Sequence, residues 1–353
     1  MPAAGGDSLT NGSLFIFTDP AVSGCDEGPA SLLGNAFQRL QANDLAAGDA
    51  FSAALGRGQE ELGGPTPLER VRLGFLLGIA RLRRIRIEEA LSAAQTALRQ
   101  AAALPWPAEK TLVPTHFSPE TAQPLYDQTR AALHTAGLLA LPTGGALLGL
   151  TREGRLLPTD KDLDLLLPHS QIRRAGEILM TLGWRPCWTS LRLANLQAFL
   201  HPGTGTTLDL IGFLHDRQRD KILTGWWLPG FPLAEGRLVE LSMPRPVAFF
   251  GPFGFFWKLE NPETWVAELF GPFWRTPDPG FDTLIETPAL VSVTPFTRCV
   301  VLLRLLEAWL TGHRVRFLRL FAALKRRVPA AFNDMPISFA DELIPPPTPW
   351  RIL

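Results

Sequence analysis

The sequence predicts an α+β protein: a mixed sheet with flanking helices, preceded by an all-α region and followed by a helical extension. Three observations predict it. Apolar residues return every three or four positions over 31–104 and again over 296–328, the period of amphipathic helices. Between them, short apolar runs bounded by Gly, Pro or polar residues, such as DLDLLLP at 162–168 and TTLDLIGFLHD at 206–216, have the length and composition of strands. The length of 353 residues also exceeds one average core, so one large domain with appendages, or two to three small ones, is expected.

Bulk composition excludes several classes. Lys plus Arg and Asp plus Glu number 34 each, so no whole-chain field favours nucleic acid or an anionic membrane, and no nucleic-acid partner is expected. Cys25, Cys187 and Cys299 have no paired spacing, which argues against a zinc knuckle or disulfide framework and for a reducing, cytoplasmic setting. The N-terminus has no basic segment before an apolar run and does not read as a secretory signal. The richest apolar run, VAFFGPFGFFW, is short and broken by Gly and Pro, so the protein is expected to be soluble or membrane-peripheral.

Residues 1–30, rich in Gly, Ala, Ser and Pro, read as a flexible segment with one apolar patch at Leu14 to Phe17. Residues 31–105 read as helices punctuated by Gly56, Gly63 to Pro65 and Pro105. The first and third helical segments resemble each other at an offset of about 43 residues, similar to a degenerate tetratricopeptide-type array, whose usual period is about 34. A protein partner bound by these helices is one expectation; a plain helical bundle packed on the next domain is the other. A proline-rich linker over 105–119 leads to the central domain, expected over 118–290. That domain opens with a helix capped by Ser118 and started by Pro119, with Gly137 past its end, and a short buried strand at Leu138 to Leu141.

The stretch 141–168 concentrates the chemistry. Gly144 and Gly145 open a short helix that Gly154 ends; side-chain-free residues let a ligand approach the backbone, and the unpaired N–H groups of a helix start suit a phosphate. Glycines at a strand-to-helix turn also serve geometry alone. In the strand RLLPTDKDLDLLLP, alternation puts Asp160, Asp162 and Asp164 on one face, with Lys161 and Leu163 on the other. Like-charged carboxylates beside a run that must be buried repel one another unless a cation sits among them. Mg²⁺ or Mn²⁺, hard ions that take oxygen ligands, fit best.

The order Gly-Gly, then LLG with Arg152 three residues on, then a glycine, Pro158 and the aspartates, resembles the LicD and fukutin-related branch of the nucleotidyltransferase fold. A second block, NPETWVAELFGPFWRTPDPGFD at 261–282, is similar to that family's downstream segment, with Phe270, Gly271, Trp274 and Pro277 at the matching places. Thr159, Lys161, Gly145 and Phe270 depart from the family pattern. The resemblance implies a nucleotidyltransferase-like mixed sheet and a further carboxylate from an adjacent strand. After a helix over 170–183, the runs flanking Pro202 to Gly205 read as a hairpin whose second arm holds Asp209 between Leu208 and Leu210. An acid so surrounded is costly to bury unpaired, so a share in the metal is its expected role. Asp216 reads as a solvated rival past the strand. Arg152 either reaches a donor phosphate or pairs with Asp160. His169, His201 and His215 read as cap or surface residues, and Trp274 as core.

Residues 291–353 read as a helical extension and proline-rich tail. Its two helices carry Arg298, Arg304, Arg314, Arg316, Arg319, Lys325, Arg326 and Arg327 against one acid, Glu307. A basic amphipathic helix of this kind touches a membrane surface or presents a solvated face. Together with the resemblance, these residues imply a metal-dependent phosphotransferase. It would move a phosphocholine- or polyol-phosphate-like unit from a CDP-activated donor to a glycan or glycolipid hydroxyl. Asp162, Asp164 and Asp209 would hold the metal, Asp160 would assist, and Gly144, Gly145 and Arg152 would hold the donor phosphates. Nucleotidyl transfer of NMP and a helical-repeat binding protein with a vestigial catalytic domain are the alternatives.

Overall fold

The computed structural model describes residues 66–109, 117–187, 191, 193–278 and 280–329. Helices and a mixed sheet give an α+β architecture in two compact units, one over described residues 117–226 and 240–267, the other over 66–109, 227–239 and 268–329.

Helix α1 (Pro67–Arg83) starts at a capping box: Thr66 Oγ1 accepts from the Glu69 N–H, and Glu69 accepts from the Thr66 N–H. Helix α2 (Ile87–Ala102) buries Ala90, Ala93, Ala94 and Ala97. A Cβ on Gly74 would stand 2.7 Å from the Cβ of Ala97, so the small residues are what let the two helices approach so closely. The first of the two similar helical segments, and with it the array reading, lies outside the described residues.

The sheet-bearing unit begins with α3 (Pro119–Thr135), where Pro119 supplies a preset φ at the first position; Ser118 gives no side-chain cap, its hydroxyl donating to Glu120 instead. Strand β1 (Leu141–Pro142) is shorter than the four-residue run expected. It is followed by α4 (Gly144–Arg152), β2 (Leu163–Pro168), a single 3₁₀ turn and α5 (Ile172–Thr181). Then come β3 (Arg185–Cys187), the hairpin β4 (Leu196–His201) and β5 (Thr206–Asp216), β6 (Lys221–Trp226) and β7 (Arg237–Ser242). The sheet runs β1-β2-β5-β4-β3, with β6 pairing β5 and β7. β2 and β5 are parallel and central; β1, β4 and β3 add antiparallel.

Pleating then sorts the side chains. Leu163, Leu165, Leu167, Leu208, Leu210 and Phe199 bury in one core with Tyr126 and Leu133 of α3 and Ala175 and Leu179 of α5. Each such leucine contributes roughly 1.5–3 kcal/mol. The intervening residues of β2 and β5, Asp164 and Asp209 among them, face the other way. A separate two-stranded hairpin, β8 (Pro246–Gly251) and β9 (Gly254–Leu259), rests on α3. Helix α6 (Pro262–Phe270) ends at Gly271, whose φ of 83° is open to glycine at little cost.

In the helical unit, α7 (Pro295–Leu310) packs against α1 and α2 and pairs with α8 (Arg314–Arg327). Phe317, Leu320, Phe321 and Leu324 form the buried face that their spacing predicts. The basic face is less free than its composition suggests, because acids upstream meet it. Arg304 pairs with Asp282 at 2.9 Å, Arg316 approaches Asp282 and Glu307 at 3.9 Å, and Arg319 holds both Asp278 (2.6 Å) and Glu286 (3.0 Å). Trp274 is buried, as core, with Arg275 over its ring. Among the described residues no helix is long and apolar enough to cross a membrane.

Candidate metal centre

Asp164 and Asp209 are direct partners in the parallel register of β2 and β5, so one pleat carries both carboxylates out on the side opposite the leucine core. Asp162 joins them: one oxygen of each of the three carboxylates lies within 4.8 Å of the others. Asp209 is buried, while Asp162 and Asp164 keep some contact with solvent.

The acids reach this arrangement differently from the alternation expected. Strand β2 begins only at Leu163; Pro158 and Thr159 form a turn and Asp162 sits in a bend. Asp160, Asp162 and Asp164 are therefore not successive residues of one strand face. The approach segment is held from below instead, by the Thr207 hydroxyl donating to the Lys161 carbonyl at 3.4 Å. Asp160 stands outside the three-carboxylate group, with its Oδ2 buried and lacking a hydrogen-bond partner.

The two glycines are explained by these same acids. Gly144 has φ of 54°, and a Cβ there would collide with the Asp164 carboxylate; a Cβ on Gly145 would collide with that of Asp160. The close approach that the Gly-Gly pair signals is thus made by carboxylates of the chain itself. Thr143 gives the helix no side-chain cap, so the electropositive start of α4 faces the acids and offsets part of their repulsion. Arg152, at the other end of α4, pairs with Glu153 at 3.1 Å rather than with Asp160, and its Nε is buried without a hydrogen-bond partner.

Burial, reinforced by Asp162, Asp209 and Asp160, pushes the Asp164 carboxyl well above the usual carboxylate range. Burial and the charge of Asp162 push Asp160 up to about 7, against smaller opposing pulls from a backbone hydrogen bond at Leu157 and from Arg152. These groups strain to ionise without a counter-charge. An all-oxygen set of three clustered carboxylates suits Mg²⁺ or Mn²⁺, so the residues fit the expected ion.

Tyr126 is a contributor that sequence reading passed over. It is fully buried on α3, and its hydroxyl donates to the Asp164 backbone carbonyl at 2.7 Å, while the Thr143 N–H reaches the same oxygen at 3.4 Å. The other candidates stay apart from the centre. His201 contacts Thr204, His215 pairs with Asp220 at 3.5 Å, and Asp216 is the last residue of β5 rather than past it, accepting from the Gln218 and Arg219 N–H groups.

No family model matches the sequence, and no curated protein matches it. Among solved structures the chain is similar to the antibiotic-resistance factor ANT(2'')-Ia, at 16% identity over 61% of this chain and 96% of that one, with a TM-score of 0.29. A likeness of that size assigns neither fold nor activity. The resemblance to the LicD and fukutin-related family rests on the two sequence blocks alone.

Proposed function

We propose that the chain is a divalent-metal-dependent transferase acting on a phosphorus-containing donor. The observation that carries this reading is the group Asp162, Asp164 and Asp209, clustered at the start of α4. In the finer reading, supported by the sequence resemblance, a phospho-alcohol passes from a CDP-linked donor to a glycan hydroxyl. Asp162, Asp164 and Asp209 hold Mg²⁺ or Mn²⁺, which when bound supplies charge neutralisation at the reacting phosphorus.

The chain's own residues do the rest. The sequence resemblance gives Gly144, Gly145 and Arg152 the donor phosphates; with the Asp164 and Asp160 carboxylates against the two glycines and Arg152 paired with Glu153, a phosphate reaches them only as those carboxylates and that ion pair give way. Asp160, with a pKa near 7, orients the acceptor hydroxyl and takes its proton. The acceptor oxygen bonds to the phosphorus carrying the alcohol, and the anhydride oxygen leaves with CMP. Incubation of CDP-linked alcohols with acceptor glycan and Mg²⁺ should release CMP. Pyrophosphate release from CTP, with no CMP from any CDP-linked donor, would move the assignment to nucleotidyl transfer.

A further inference from the structure

The β8–β9 hairpin carries an apolar surface that the catalytic reading does not use. Val247, Phe249, Phe250, Phe253 and Phe255 are all exposed, Phe250 at 69% and the others between 41% and 51%. They lie within nine consecutive residues around the Pro252–Phe253 turn. Phe250 and Phe255 are cross-strand partners with rings 5.1 Å apart on one face, while alternation puts Val247 and Phe249 on the other with Phe256 and Lys258, so the exposed side chains clothe both faces of the hairpin about its turn.

The hairpin is firmly seated. Phe256 is buried beneath the Arg130 guanidinium at 4.0 Å, Arg130 donates to the Trp257 carbonyl at 2.8 Å, and the Trp257 indole donates to the Leu138 carbonyl at 3.0 Å. Its exposed phenylalanines are therefore held out by a rigid base. Among the described residues β8 pairs only with β9.

We propose that this hairpin tip inserts shallowly into an anionic lipid surface. Its chemistry is graded as such an interface demands. The five exposed side chains contain no hydrogen-bonding group, so they offer nothing to sugar hydroxyls or peptide amides and suit hydrocarbon. The patch surrounds a projecting turn rather than lining a groove. Toward the base stand Arg245 and Lys258, and no acid occurs from 245 to 259. Lys258 lies 3.3 Å from the centre of the Phe249 ring, at the edge of the apolar tip where an anionic headgroup would sit, while Arg245 pairs with Glu260 at 3.9 Å across an exposed contact that a headgroup can replace. This use of the hairpin is independent of the transfer reaction.

Co-sedimentation of the full chain with sucrose-loaded vesicles tests it. Vesicles of phosphatidylcholine with phosphatidylglycerol should carry the protein down more strongly than phosphatidylcholine alone. Phe250→Asp with Phe253→Asp should lower partitioning by roughly tenfold or more, with an unchanged far-ultraviolet spectrum and melting temperature. Should that pair of changes alter the fold, Phe250→Ala with Phe253→Ala, which introduces no charge, supplies a second reading, its partitioning onto anionic vesicles falling several-fold. Absence of vesicle binding by the unmodified chain, or equal binding by the folded double variant, overturns the proposal. So does a concentration-dependent dimer in sedimentation velocity that the same changes abolish while vesicle binding is missing, which would make the patch a contact between copies.

Discussion

Asp164 and Asp209 face each other across two parallel strands, and the chain stabilises nothing by placing them so. The pairing costs free energy through burial and mutual repulsion, and it is retained at the centre of the sheet where a leucine pair would pack at no such cost. Asp164→Asn should therefore raise the metal-free thermal midpoint. The same change should abolish any rise in midpoint on adding Mg²⁺ or Mn²⁺. Thermal melts with and without metal check both halves.

The fit of glycine to carboxylate gives a second expectation. Gly145→Ala should destabilise by about 1–3 kcal/mol, because its Cβ meets the Asp160 carboxylate. In an Asp160→Ala background the same change should cost much less. A double-mutant cycle in urea measures the coupling, and full additivity would contradict it.

Tyr126 ties α3 to the peptide of Asp164 from the core side. Tyr126→Phe should lower stability by about 1 kcal/mol through the lost hydrogen bond. It should also weaken metal affinity, since the Asp164 carbonyl loses its 2.7 Å hydrogen bond from α3. An unchanged affinity with the expected stability loss would make Tyr126 a packing residue only.

The raised acids set a pH dependence. Asp160 has an ordinary value of 3.8 and stands at about 7 in the fold, so the protonated form is the one the fold favours. Its contribution to stability is fully present below 3.8 and is lost as pH rises to about 7. At about 1.4 kcal/mol per unit, that loss amounts to a few kcal/mol. The stability of the metal-free chain relative to Asp160→Asn, which does not titrate there, should fall across this interval in paired urea melts. Saturating Mg²⁺ should blunt the fall, because the ion binds the deprotonated acids.

The sequence made Asp209 legible because an acid between Leu208 and Leu210 in a strand-length run has few outlets. It made Asp164 legible for the same reason. Asp162 joins Asp164 as alternation expects, but alternation carried too far when extended back to Asp160, because a turn at Pro158–Thr159 and a bend at Asp162 interrupt the strand and leave no trace in the two-residue period. Gly144 and Gly145 announced a close approach but not what approaches.

Tyr126 gave no signal, since a buried aromatic on a helix reads as core whatever its hydroxyl does. The basic helices α7 and α8 were counted without Asp278, Asp282 and Glu286, which only the fold brings beside Arg304, Arg316 and Arg319. The exposed phenylalanines of β8 and β9 sat in a run whose sequence spoke only against a membrane-spanning helix; which strand lies at an edge is decided by packing.

In the proposed function Asp162, Asp164 and Asp209 form one divalent-cation site. Calorimetric titration of Mn²⁺ into the full chain tests it most directly, with Asp209→Asn run in parallel. One saturable site is expected in the unmodified chain and none in a variant that remains folded. Heat-silent titration of the unmodified chain, or undiminished binding by Asp209→Asn, would contradict it.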